Sequence, residues 1–269
     1  KTSDFTLFGF MGGLVGSDPT SEGIDLAVAG NLDLVSAYIT SSGTVSLAAN
    51  SIIADQGSTV SASSLEMETE SGIGTATIPL NTMADSVSAV VTAAGGLYLK
   101  EADDVTLETL LVENGNIHVF SGGELKATKV QTYADGDITL QAGTDLFVDL
   151  AQTDLIVGTG TPTSNVTLEA LGDVNEISPD DTDYDVIAGT INLNDQDKLV
   201  TGVETSVTAT IGLAQIDVLP EKAADGTRSV SGDYVIVAPS VPDGALALAV
   251  TGNLNVLNLG IDPTQDVDV

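Results

Sequence analysis

Three alternating aspartates, Asp181, Asp183 and Asp185, have the residue type and spacing of a metal site. Calcium takes six to eight oxygen ligands, so carboxylates that alternate along a turn can converge on one ion. The segment is not an EF-hand loop, because Val186 and Asn192 stand where that loop needs Gly and Glu. These three aspartates are therefore candidate calcium ligands; the acidity of the whole chain favours the alternative, a solvated acidic loop.

Catalytic chemistry has less support in the sequence. His118 is the only histidine, and there is no cysteine, so neither a Ser-His-Asp arrangement nor a His or thiolate metal site has an evident partner. His118 alternates with Ile117 and Val119, which predicts that it points outward from a strand as surface decoration. Glycosidases need paired carboxylates and usually aromatic platforms for sugars, and this chain has no Trp. We predict no catalytic site; the alternative is a carbohydrate-active β-helix enzyme or a tailspike-like polysaccharide binder.

The charge balance excludes several classes of partner. The chain carries 39 acidic and 7 basic residues, a net charge of −32. Such a surface repels phosphate backbones, so we expect no nucleic-acid binding, whereas divalent cations and basic partners are favoured as counter-charges. No apolar run reaches the roughly 20 residues of a membrane-spanning helix, so we predict no transmembrane segment.

Short β-type segments that recur with a period of about 20 residues are the elements that must position these groups. Two aliphatic series keep this step: Leu97, Ile117 and Ile138 form one, and Val105, Leu125 and Leu146 form the other. A fixed period in this range indicates a solenoid in which each repeat is one coil. A β-sandwich also has short strands, but it does not require the same residue class at every twentieth position. The sequence therefore predicts an all-β, parallel β-helix solenoid with coils of about 20 residues.

Glycine stands just ahead of many of these segments, at positions 43, 96, 115, 123, 136 and 143. Because glycine adopts backbone conformations that other residues avoid, we predict that these positions turn the corners of the coils.

The regularity of the repeat divides the chain into four predicted parts. Residues 1–29 form a leading β segment or edge cover, and residues 30–177 form the regular β-helix. Residues 178–231 are irregular coils with loop insertions, and residues 232–269 return to solenoid-like repeats and a truncated end. The abrupt start and the DPTQDVDV ending predict a piece of a longer polypeptide.

A recurring element of glycine, Asn or Asp and an aliphatic residue appears as GNLDL (30–34), GNIHV (115–119), GDITL (136–140) and GNLNV (252–256). It resembles the repeats of filamentous-haemagglutinin-like bacterial exoproteins. The resemblance implies a right-handed parallel β-helix, export to the bacterial surface, and adhesion or self-association without catalysis. The Asn-Pro motifs of that family's secretion domain are absent, so the resemblance is to the shaft.

From this resemblance we expect a structural or adhesive segment of a large protein located outside the cell or at its surface. Its expected partners are copies of itself, neighbouring β-helix segments, and surface carbohydrate or a partner cell surface.

Overall fold

The computed structural model describes residues 4–12, 23–154, 163–172, 174–177, 186–188, 190–195, 205–209, 214–216, 228–230, 234–237, 246–250, 254–257 and 267–268. These residues form β-strands joined by short turns, with no helix among them. The predicted all-β fold is confirmed. In this part of the chain no helix has the length and hydropathy needed to span a bilayer, in agreement with the prediction of no transmembrane segment.

Twenty-one strands belong to one hydrogen-bonded sheet system. In chain order they are β1 (Phe5–Gly12), β2 (Ile24–Ala27), β3 (Leu32–Thr40), β4 (Thr44–Ala49), β5 (Ile52–Ala54), β6 (Thr59–Thr69), β7 (Leu80–Ala94), β8 (Leu97–Glu101), β9 (Val105–Asn114), β10 (Ile117–Ser121), β11 (Leu125–Ala127), β12 (Val130–Thr132), β13 (Ile138–Ala142), β14 (Leu146–Val148), β15 (Ala151–Gln152), β16 (Asn165–Ala170), β17 (Val174–Glu176), β18 (Val186–Ala188), β19 (Thr190–Asp195), β20 (Thr205–Ala209) and β21 (Ala214–Ile216).

Five further strands pair only among themselves in the described residues. They are β22 (Arg228–Val230), β23 (Tyr234–Val237), β24 (Leu246–Val250), β25 (Leu254–Leu257) and β26 (Val267–Asp268). Their pairing is parallel, and Val235 lies beside Asn255, one repeat further along the chain, as the period predicts.

The parallel strands stack as a β-solenoid of about six turns, with coils of about 21 residues. Ile117 pairs with Leu97 on one side and with Ile138 on the other. Each of these side chains is buried, because alternate residues of a strand point to the same face and the apolar set lies inward. The first predicted column of the solenoid is therefore confirmed.

The second predicted column is also present. Leu125 pairs with Val105 and with Leu146, and all three side chains are buried. Parallel pairing continues through both columns, which excludes a β-sandwich for this part of the chain.

A β-bulge in β9 coincides with a change in the number of strands in a coil. Val87 pairs with Leu107 but Ser88 pairs with Thr109, so Glu108 is an extra residue in the ladder. Because the side-chain period is two, the extra residue keeps Leu107 and also Leu110 in the core. In the next coil the single strand β9 is followed by two short strands, β11 and β12, which both pair with it.

The parallel stack ends at β18 and β19. These strands pair in parallel with β15 and β16 of the preceding coil, but their other edges pair antiparallel with β21 and β20. Exposed strand edges promote association, and here two strands of the same chain cover them. The predicted boundaries at residues 29, 177 and 231 stay predictions.

At the corners, glycine more often permits the close approach of another backbone segment than it adopts an unusual backbone conformation. Among the six predicted corner glycines, only Gly115 has a φ in the left-handed region, at 148°. A Cβ at Gly136 would lie 2.1 Å from the carbonyl oxygen of Gly115, and a Cβ at Gly115 would lie 2.4 Å from that of Gly95. Successive corners thus stack backbone on backbone, which explains the recurrence of glycine at this position.

We predict that Gly136→Ala lowers the free energy of unfolding by about 1–3 kcal/mol, because the added methyl group forces adjacent corners apart. Gly57→Ala is the matched control, since its Cβ would meet no atom closer than 3.5 Å. Urea unfolding of both variants measures the difference. Equal midpoints would contradict the close stacking of the corners.

Candidate binding groove

The candidate calcium ligands Asp181, Asp183 and Asp185 lie outside the described residues. Within the ranges that the structure describes, no three His, Cys, Asp or Glu side chains come together in a way that could hold a metal ion. The calcium site therefore stays a hypothesis.

The outward face of β8, β10, β13 and β16 carries aromatic, basic, amide and acidic side chains. In-register pairing places its side chains in two columns: Tyr98, His118, Thr139 and Thr167 form one, and Lys100, Phe120, Gln141 and Glu169 form the other. The single histidine, two aromatic rings and one of the seven basic residues thus lie on neighbouring strands.

A groove of about 340 Å³ lies on this face. The strands supply Tyr98, Leu99, Lys100, His118, Phe120 and Gln141 to its lining, and a turn supplies Thr75, Ala76 and Pro79. The turn belongs to an insertion, because the step from Ile73 to its pairing partner Leu97 is longer than the step from Leu97 to Ile117 in the next coil. We call this feature the groove.

The turn is held by local hydrogen bonds. Thr75 and Ile78 exchange backbone hydrogen bonds of 2.9 and 3.2 Å, and the Ile78 N–H also reaches Oγ1 of Thr75. Gly74 precedes the turn with a φ of 62°, and a Cβ there would lie 2.6 Å from the carbonyl oxygen of Tyr98. Only glycine fits this contact, which brings the turn against the strand.

Two aromatic rings present surface to the groove. The Tyr98 ring lies directly over Gly96, where a Cβ would be 2.4 Å from the ring. The missing side chain allows the ring to rest on the backbone. Phe120 is 39% exposed, so its ring also presents surface to the groove.

A hydrogen-bonded series crosses the same face. Nε2 of His118 lies 3.0 Å from Oε1 of Gln141, and Nε2 of Gln141 donates to the carboxylate of Glu169. A carboxylate only accepts, so it turns the amide nitrogen of Gln141 towards itself and the amide oxygen towards His118. His118 therefore donates from Nε2, and in the neutral imidazole Nδ1 is the acceptor.

Lys100 adds a positive charge beside Phe120. Its side chain is exposed, and it forms no ion pair with another of the described residues.

Glu101 is adjacent to the groove in sequence but points into the core, where it is 1% exposed. Burial raises the pKa of Glu101 to about 7, against the lowering effect of Thr82 and of the backbone N–H groups of Ala102 and Ala84. A raised pKa is typical of catalytic acids, but this carboxyl does not line the groove. We interpret Glu101 as a structural group.

Part of this site can be predicted from the sequence. Strand alternation predicts that His118 points outward, and the pairing of β10 with its neighbours confirms this. The sequence offers no catalytic or metal-binding partner for His118, and it does not directly reveal the hydrogen bond to Gln141, which lies two residues beyond the register partner of His118 on the next strand. The repeat spacing predicts the contact between His118 and Gln141 if residues diagonally opposite each other on successive coils are considered as well as those directly opposite.

No protein-family model matches the chain, and neither a curated protein nor a solved structure shows significant similarity to it. The β-solenoid is compatible with the repeats of filamentous-haemagglutinin-like proteins, and membership of that family is not established by these comparisons.

We predict that stability falls as pH rises through the titration of Glu101. The folded chain holds this proton more tightly than the unfolded chain, so the stabilisation is complete below about pH 4.5 and is lost as pH rises through about 7. Between about pH 5.5 and about pH 8 the loss should be on the order of 2 kcal/mol.

Urea unfolding of Glu101→Gln checks this, because the variant should lack that part of the pH dependence. Glu108→Gln, which removes one exposed carboxylate from β9, controls for net charge. The same pH slope in the Glu101 variant and the unchanged chain would show that Glu101 is not the titrating group.

We also predict that calcium raises the melting temperature more than NaCl of matched ionic strength, because the net charge of −32 produces strong self-repulsion. Changing Asp181, Asp183 and Asp185 together to Asn should remove the calcium-specific part.

The matched control changes Glu66, Glu68 and Glu70 to Gln, which removes three exposed carboxylates with the same spacing. If calcium and matched NaCl stabilise the chain equally, the effect is screening alone.

Proposed function

We propose that this chain is a structural and adhesive segment of a large secreted or surface-displayed bacterial protein, acting as a rigid rod without catalysis. One observation carries the proposal: the described strands between Phe5 and Asp195 stack in parallel, coil on coil, around a single aliphatic core. At about 4.8 Å per coil, six turns extend for roughly 30 Å.

The stack is rigid for a physical reason. Each inner coil forms backbone hydrogen bonds with the coils on both sides, so bending would break many of them together. The outward positions do not contribute to the core and can carry recognition groups. The resemblance of the repeats to shaft segments of bacterial exoproteins supports a location outside the cell or at its surface.

The ends of the stack differ in a way that favours association at one of them. Strands β20 and β21 cover the outer edges of β19 and β18. Within the described residues β1 pairs with β3 alone. An unpaired strand edge accepts a further strand. We propose that a second copy or a neighbouring β-helix segment pairs along β1.

An adhesion assay tests this function. Beads coated with the chain should be retained on bacterial or epithelial cell layers above the level of albumin-coated beads. Thr139→Ala, at a half-buried outward position, should preserve retention. Ile138→Asp places a charge in the fully buried core, so it should unfold the rod and abolish retention.

Retention no higher than that of albumin would contradict the adhesive function. The enzyme alternative would be favoured if the chain released reducing ends from a polysaccharide and a single carboxylate-to-amide change abolished that release while leaving the fold intact.

A further inference from the structure

We propose that the groove binds a neutral polysaccharide chain through Tyr98, His118, Phe120 and Gln141. This inference rests on the proposed adhesive function and assigns that function to one place on the rod.

The apolar part of the groove favours a ligand with flat apolar faces. Sugar rings present C–H faces that can lie on aromatic rings, and Tyr98 and Phe120 offer such surfaces on adjacent strands. The Tyr98 ring already rests against Gly96, so binding need not order it. The volume of about 340 Å³ is within the range of small-molecule sites.

The polar part of the groove favours hydroxyl groups. A hydroxyl both donates and accepts hydrogen bonds, and the groove offers both kinds of partner. Gln141 retains a second amide N–H and a second lone pair after its bonds to His118 and Glu169. In the imidazole tautomer that donates from Nε2, the Nδ1 atom of His118 is a further acceptor. Because Glu169 orients the amide, these groups are arranged before a ligand arrives.

The charges favour a neutral glycan over charged ligands. The net charge of −32 opposes the approach of uronate-containing or sulfated chains, and Glu169 lies directly behind Gln141. Lys100 lines the groove and opposes a basic peptide. A neutral ligand meets neither penalty, and the ammonium group of Lys100 can donate hydrogen bonds to its hydroxyls.

Affinity electrophoresis tests the proposal with the whole chain. Gels containing a neutral β-glucan or a mannan should retard the protein, and gels containing alginate should not. Phe120→Ala and Gln141→Ala should each weaken retardation by the neutral polysaccharide about tenfold, equivalent to about 1.4 kcal/mol. Phe120→Tyr retains the ring and should preserve binding.

Tyr38→Ala is the matched control, because Tyr38 is an aromatic residue of β3 that is 51% exposed and outside the groove. The proposal is overturned if neither neutral polysaccharide retards the chain, if alginate alone does, or if Tyr38→Ala has the same effect as Phe120→Ala.

The cell-retention assay separates this proposal from the function on which it rests. If coated beads adhere and the groove variants adhere equally well, the groove assignment is wrong and the adhesive function stands. If the groove binds a neutral glycan and the beads do not adhere, the adhesive function is wrong.

Discussion

In-register parallel pairing between successive coils is the constraint on which the rest of this structure depends. Neighbouring backbones lie about 4.8 Å apart, so every side chain stands directly against its counterpart one coil away. Inward positions must therefore be filled by residues that stack on similar residues. Leu97, Ile117 and Ile138 meet this requirement because branched aliphatic side chains pack in columns without leaving cavities.

The same constraint acts on the corners and on the outer faces. At the corners the backbones approach so closely that a Cβ at Gly136 would collide with Gly115, and glycine recurs there. On the outer faces, side chains of successive coils are adjacent, which gives polar residues partners far away in sequence. The series from His118 through Gln141 to Glu169 crosses three strands of this kind.

Local departures from the repeat create the features that distinguish one coil from another. The insertion after Ile73 supplies the turn that lines the groove, and the extra residue Glu108 coincides with the change from one long strand to two short ones. The step lengthens again between β13 and β16, where Ile138 pairs with Val166, and between β15 and β18, where Ala151 pairs with Val186. A regular stack thus provides rigidity, while an irregular coil provides a place where a ligand can be recognised.

The fold class, the inward columns and the outward position of His118 can be predicted from the sequence, because they follow from a period of about 20 residues combined with strand alternation. The antiparallel strands that end the stack and the groove become evident only in the folded chain. The groove depends on the insertion after Ile73, which alters the step between coils, and the antiparallel pairing has no counterpart in the repeat. An insertion interrupts the period, so the period alone does not show which residues the insertion brings together.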